Sequence, residues 1–173
     1  MKTRILFLYF SGTGNTLFAI NELKQYLDAD ITIYPLRNIP SLEGEIKKSD
    51  IIVIFYPTYY THAPNIVIDI IKNYHAFFEA KRLILLNTFS GNPGYGIHDI
   101  FTIFNRNTDI QHFSIRMPGN YYAEYGAFPK WYQDFLLKKA SVKIKNISED
   151  IRANTPSIFP IPNKLARLSN NNA

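Results

Sequence analysis

Two uninterrupted apolar runs constrain this chain more than any other feature: Arg4 to Phe10 (Arg-Ile-Leu-Phe-Leu-Tyr-Phe) and Ile51 to Tyr56 (Ile-Ile-Val-Ile-Phe-Tyr). A strand with one wet face alternates apolar and polar residues. A strand that is apolar at every position has both faces covered, as in the interior of a parallel sheet. Parallel neighbours cannot be joined by a tight turn and need a crossover of about a dozen residues or more, usually helical. The residues between the two runs meet that demand. After Thr16 the apolar period changes, and Phe18, Ala19, Ile20, Leu23, Tyr26 and Leu27 recur at helical spacing. Asp30 to Pro35 then reads as a shorter strand and Leu42 to Lys48 as a short helix.

The alternation continues. Pro64 suits a first helical position ahead of Ile66 to Ile71, and Leu83 to Asn87 is a fourth strand. Ile97 to Phe104 is a helix, and Ile110 to Ile115 is a fifth strand. A last helix runs from near Pro129 to about Asn154, with Trp131, Phe135, Val142, Ile147 and Ile151 on its packing side. From Thr155 onward Pro156, Pro160, Pro162 and a closing Ser-Asn-Asn-Asn-Ala predict an irregular tail. The chain of 173 residues thus divides into one domain over 1–154 and a tail over 155–173. The fold class is α/β, a parallel sheet with right-handed crossovers and helices on both faces. In such sheets ligands bind beyond the carboxyl ends of the strands.

Composition narrows the chemistry. With 46% hydrophobic and 19% charged residues the chain belongs with soluble globular proteins. It has no cysteine, which excludes disulfides, cysteine-ligated iron-sulfur clusters, thiolate zinc sites and cysteine nucleophiles, so redox chemistry would have to come from a bound cofactor. No run approaches the roughly 18–20 apolar residues of a membrane helix. Met1 to Phe10 leads into Ser-Gly-Thr-Gly-Asn rather than a signal-peptide cleavage site, so a cytoplasmic protein is expected. The net charge of +5 comes from dispersed Lys and Arg. The densest group, Lys138, Lys139, Lys143 and Lys145, reads as a solvated helix face; nucleic acid is not an expected partner, while an acidic protein surface is compatible. His62, His75, His98 and His112 show no metal-ligand spacing, and Gly-x-Ser-x-Gly is absent, so neither a metal nor a hydrolase elbow is expected. Tyr121, Tyr122 and Tyr125 are assigned to packing of the long loop before the last helix.

Ser11-Gly12-Thr13-Gly14-Asn15-Thr16 stands between the first strand and its helix. Gly12 and Gly14 let successive N–H groups turn onto an anion. Ser11, Thr13 and Thr16 add hydroxyls, Asn15 an amide, and the helix start its partial positive charge. A Walker A loop would need a lysine that is missing. A dinucleotide fingerprint would need a third glycine, where Leu17 stands, and an acidic residue at the end of the second strand, where Tyr34-Pro35 stands. A plain strand-to-helix turn capped by Ser and Thr is the simpler alternative.

Residues 11–16 match in full the phosphate loop of the flavodoxin family, Ser/Thr-Gly-Thr-Gly-Asn-Thr. Together with Tyr9-Phe10, Tyr56-Pro57 and Met117-Pro118-Gly119-Asn120-Tyr121, they make the chain from about Thr3 to Asn154 resemble the flavodoxin-like domain of bacterial flavodoxin/ferredoxin fusion proteins. The resemblance implies a three-layer sandwich with five parallel strands in the order 2-1-3-4-5. It also implies FMN as cofactor, with Ser11, Gly12, Thr13, Gly14, Asn15 and Thr16 on its phosphate. The isoalloxazine ring would lie between two further loops. Pro57, Thr58, Tyr59 and Tyr60 come from the first, a tyrosine being the stacking candidate. Thr88, Phe89, Ser90, Gly91, Asn92 and Tyr95 come from the second. The first loop has no glycine between Pro57 and Pro64, where many electron-carrying flavodoxins have one; Thr61 and His62 stand there instead. His62 is marked out by this location. No catalytic side chain is required, because the flavin supplies the chemistry.

Three functions are compatible with this resemblance. One is an electron carrier serving an iron-sulfur or flavoprotein partner. Another is an FMN-dependent NAD(P)H:quinone-type oxidoreductase acting on a small-molecule acceptor. The third is an interaction module of the same fold without cofactor. The fusion proteins carry a cysteine-rich ferredoxin segment that these residues lack, so an external partner or a longer protein is expected to provide it.

Overall fold

The computed structural model describes residues 2–104, 110–119 and 128–156. Strands and helices alternate throughout: β1 (Arg4–Tyr9), α1 (Asn15–Tyr26), β2 (Asp30–Pro35), α2 (Leu42–Lys48), β3 (Ile51–Pro57), α3 (Asn65–Glu79), β4 (Arg82–Phe89), α4 (Gly96–Phe101), β5 (Ile110–Arg116) and α5 (Lys130–Ala153). The five strands form one parallel sheet in the order β2-β1-β3-β4-β5, the expected arrangement.

The apolar runs behave as their composition requires. Leu6, Leu8, Ile52, Ile54, Tyr56, Leu83 and Leu85 point to one side, where they pack with Ile46, Val67, Ile71, Phe78 and Ile100 of α2, α3 and α4. Ile5, Phe7, Val53, Phe55, Ile84 and Leu86 point to the other side and meet Ala19, Ile20, Leu23, Ala140, Ile144 and Ile147 of α1 and α5. Phe7 and Phe55, on neighbouring strands, tilt against each other with centroids 4.8 Å apart. Successive strand residues therefore enter opposite cores, which is why β1 and β3 tolerate no polar alternation.

Several boundaries differ from the sequence reading. Pro64 is the cap of α3 (φ −59°, ψ 141°) and not its first helical residue, and the helix continues past Ile71 to Glu79. Tyr74 interrupts it with φ −123° and ψ 16°, a kink that also hides the continuing period through Phe77 and Phe78. α4 stops at Phe101, short of Phe104, whereas β4 runs two residues beyond Asn87 and takes Thr88 and Phe89 into the sheet. The face of α5 needs the largest correction. Leu136, Ala140, Ile144, Ile147, Ser148 and Ile151 are buried, while Trp131, Phe135 and Val142 are exposed. Each residue turns the helix by 100°, so Trp131, Phe135 and Val142 share a stripe of their own. Their size makes this the conspicuous stripe in the sequence, although Ala140 and Ser148, both buried, allow the close approach to the sheet.

Candidate functional site

The carboxyl ends of all five strands lie on one edge, and the segments leaving them make up the candidate site. β1 ends beside β3, and the chain leaves β1 toward the face of α1 and β3 toward the opposite face, that of α3. This is the switch point at which parallel α/β sheets open a crevice.

The segment after β1 turns sharply into α1. Gly14 adopts φ +93°, a left-handed conformation that a side chain would strain, and its carbonyl accepts the N–H of Phe18. No side chain caps α1. The first-turn N–H groups therefore face the edge of the sheet with the positive end of a 12-residue helix behind them. The Gly14 N–H donates to Ser11 Oγ at 3.2 Å, which folds the loop upon itself. Gly12, Thr13 and Gly14 are exposed, and Ser11 and Asn15 are half-buried.

Two of the expected phosphate residues are turned to structural tasks. Thr16 is buried, and its hydroxyl shares a hydrogen bond of 3.1 Å with that of Thr88 on β4. The Asn15 amide donates to the Pro118 carbonyl at 2.9 Å, tying the loop after β1 to that after β5. Toward an anion these residues would contribute backbone N–H groups.

Tyr59 reaches across to the same loop. Its ring stands edge-on to Phe10, centroids 6.1 Å apart. Its hydroxyl lies against Gly12, where a Cβ would overlap it. Burial pushes the phenol above its usual pKa, partly offset by Arg37, so it remains a donor at neutral pH. Arg37, just after β2, holds its guanidinium 5.3 Å from the Phe10 ring and puts a cation beside the glycine loop. Tyr60, at the tip of its turn, is 83% exposed.

A polar hub binds the segments after β3 and β4 together. Asn87, fully buried, donates to Thr58 Oγ1 at 2.9 Å and to the Pro93 carbonyl at 3.3 Å. Its own Oδ1 accepts from the Ser114 hydroxyl at 2.5 Å. Thr58 in turn donates to the Pro93 carbonyl at 3.0 Å, and its N–H bonds to the Thr88 carbonyl at 2.8 Å. Pro57 lies opposite Thr88 at the end of the sheet. Phe89 pairs with Arg116 in the sheet, and the Arg116 Nε donates to the Ser90 carbonyl at 3.0 Å. Asn92 Oδ1 accepts the Gly94 N–H at 2.9 Å, while Gly91 is exposed with open space about it. Tyr95 approaches His62, ring centroids 6.1 Å apart.

The structure thus brings the sixteen expected positions into three adjoining segments, and it adds Arg37, Asn87 and Asp99, which the sequence reading passed over. Asp99 takes the His62 ring at 2.9 Å. Arg37 follows the end of β2, Asn87 sits inside an apolar run, and Asp99 is one acid in a short helix. Only spatial proximity marks them. Asn120, Tyr121, Tyr122 and Tyr125 lie outside the described residues. Among the described residues no group of acids and histidines has metal-binding geometry, and no helix is long and apolar enough to cross a membrane.

No protein-family model matches the chain, and no curated protein matches it by sequence. Solved structures do. A flavodoxin of Fusobacterium nucleatum bound to flavin mononucleotide superimposes with a TM-score of 0.60 at 17% identity, over 89% of this chain and 99% of its own. A flavodoxin from the domain Archaea gives 0.52 at 12%, over 87% and 99%. The azoreductase of Bacillus anthracis str. Sterne gives 0.55 at 10%, over 86% and 99%. At these identities the likeness is one of architecture, and with the strand order 2-1-3-4-5 it makes this chain a protein of the flavodoxin-like fold.

Proposed function

We propose that this protein binds FMN at the carboxyl edge of its sheet and passes electrons through it. The carrying observation is the uncapped start of α1 behind Gly14 at φ +93°, an anion site at the β1/β3 switch point that needs no lysine or metal. Ser11, Gly12, Thr13 and Gly14, with the N–H groups of Asn15 and Thr16, would hold the phosphate. The Tyr59 hydroxyl and Arg37 adjoin the loop and suit a dianion. Thr58, Tyr60, Phe89, Ser90, Gly91, Asn92 and Tyr95 would flank the ring. Bound there, the flavin supplies one- or two-electron redox chemistry. The chain's own contribution is to fix the crevice walls through Asn87 and Thr58 and to offer aromatic surface against a planar heterocycle.

The electrons would go to an iron-sulfur or flavoprotein partner or to a small-molecule acceptor. The flavodoxins and the azoreductase among the structural neighbours stand on these two sides. Titrating the purified protein into FMN tests the proposal, with riboflavin as the phosphate-free control. FMN fluorescence should quench at stoichiometric protein, and riboflavin should bind far more weakly. Unquenched FMN, or equal affinity for the two, would refute it.

A further inference from the structure

The turn after β3 is built at an energetic cost. Tyr59 and His62 close it with N–H to carbonyl bonds of 3.0 and 2.9 Å. Its two central residues, Tyr60 (φ 46°) and Thr61 (φ 69°), are left-handed without being glycine. Such two-residue turns ordinarily use Asn-Gly or Asp-Gly, and a β-branched residue is especially uncomfortable there. Conformations of this kind persist where the surroundings over-determine them, and they cluster at functional sites.

The restraints come from the segment leading into α4. The Thr61 carbonyl accepts the Tyr95 N–H at 2.5 Å. Gly94, itself at φ +69°, passes so close that a Cβ would overlap the Thr61 backbone, and a Cβ at Gly96 would press on Ala63. Asp99 Oδ2 lies 2.9 Å from His62 Nδ1 and also accepts the Ala63 N–H at 3.4 Å. An ionised carboxylate can only accept, so Nδ1 carries the proton in this pair and Nε2 is the ring's remaining working nitrogen. The His62 side chain is 46% exposed and that of Asp99 28%, so the pair has one end in the fold and one open to solvent at the carboxyl edge. The groups about it are Asp99 and Tyr95 from the α4 side, Tyr59 across the turn, and Tyr56 from β3. Tyr56 is fully buried, with no hydrogen-bond partner for its hydroxyl among the described residues. Burial and the Asp99 carboxylate both push its ionisation up, so it stays neutral.

We propose that His62 is the proton donor of this site, oriented by Asp99 as its positioning residue, and that the turn exists to present Nε2 to a small acceptor reduced by two electrons. The inference rests on the FMN reading above and selects the small-molecule side of it. The acceptor class is a quinone-type carbonyl. It takes one hydrogen with an electron pair from reduced flavin, which is oxidised in the step. The carbonyl oxygen, left anionic, takes the second hydrogen as a proton from protonated Nε2; the N–H bond breaks and an O–H bond forms. Solvent returns the proton to the imidazole, and a nicotinamide donor restores the reduced flavin.

The test compares 1,4-benzoquinone with ferricyanide, which accepts an electron and no proton. Assays use FMN-loaded protein and NADPH, with dithionite-reduced protein in single turnover should NADPH not serve. In His62→Gln the benzoquinone rate should fall by about 100-fold or more while the ferricyanide rate holds. Asp99→Ala should lower the same ratio by less. Independently of flavin, nitrogen NMR of the wild-type apoprotein should show the neutral His62 ring protonated at Nδ1, and Asp99→Ala should move that proton to Nε2. A neutral wild-type ring protonated at Nε2 instead of Nδ1, or a benzoquinone to ferricyanide ratio unchanged by His62→Gln, overturns the proposal. Failure to quench FMN overturns the underlying reading and this inference with it. Quenching with an unchanged ratio overturns the inference alone.

Discussion

Replacing Thr61 by glycine should stabilise the protein, an uncommon direction for a substitution to glycine. Thr61 is exposed and at φ 69°, so its side chain loses no burial when removed. The left-handed conformation costs an L-residue about 1–2 kcal/mol, and glycine is free of that cost. Against this, the unfolded chain gains freedom at glycine, worth about 0.5–1 kcal/mol. The balance favours Thr61→Gly by about 0.5–1 kcal/mol, a rise of about 1–4 °C in Tm for a chain of this size. Gly94→Ala is the mirror experiment. It places a Cβ at φ +69° and drives it into the Thr61 backbone, so the strain of about 1–2 kcal/mol is joined by loss of the Tyr95–Thr61 bond, about 1 kcal/mol. Urea unfolding followed by circular dichroism measures both, with the slope checked for constancy. Thr61→Gly destabilised by more than about 0.5 kcal/mol would refute the left-handed turn, whatever Gly94→Ala does.

Four further outcomes are expected. Thr13→Ala should weaken FMN by about 10- to 150-fold with little change for riboflavin, since a hydrogen bond to a charged group is worth about 1.5–3 kcal/mol; fluorescence titration decides. Thr16→Val should act on stability instead, costing about 1–3 kcal/mol by leaving the buried Thr88 hydroxyl unpaired, as read by the urea midpoint. Asn87→Leu removes the acceptor of the Ser114 hydroxyl and the donor shared by Thr58 and Pro93, which keep only their mutual bond among these; it should cost about 2–4 kcal/mol while loosening both loops, which hydrogen exchange at Thr58 and Gly94 would report. Burial holds the His112 imidazole below its usual value of 6.5. The unfolded chain then binds the proton more readily, so stability is complete above about pH 6.5 and declines as the pH falls from there through the lower folded value. His112→Phe should flatten that decline in pH-dependent melts.

The sheet was legible because its strands are buried on both faces. Ile51 to Tyr56 is apolar at every position, and no alternative element accommodates that run with helical periods on either side. α2 was legible to the residue, since Ser41 caps it by accepting the Gly44 N–H and acids and lysines sort to its two ends. α5 was legible in extent but not in orientation, because three large apolar residues on its wet face outweighed Ala140 and Ser148. At the site, the glycine loop could be read from adjacent residues alone. Thr16 could not, because its partner Thr88 is 72 residues away, nor could the pairing of His62 with Asp99 across 37. Sequence local to a helix start specifies the glycine turn and the start of α1; contacts between loops are settled only when the sheet has brought them together.

That division bears on how the two halves of the crevice can change. The proposed phosphate end is made by one strand, one turn and one helix dipole, and it is tied to the rest of the edge through the Asn15–Pro118 and Thr16–Thr88 bonds and the Tyr59–Gly12 contact. The proposed ring end depends on Asn87, Thr58, Gly94 and Asp99, whose bonds and close contacts fix one another. A substitution at Thr13 therefore acts on affinity and leaves the turn alone. A substitution at Asp99 acts first on where His62 points, and it reaches cofactor affinity only if the turn itself gives way. Substitutions at the two ends should for this reason combine additively in FMN binding free energy, as groups without shared partners do. A Thr13→Ala and Asp99→Ala pair that departs from additivity by more than about 0.5 kcal/mol would mean that the two ends move as one unit, with Tyr59 against Gly12 as the contact that couples them.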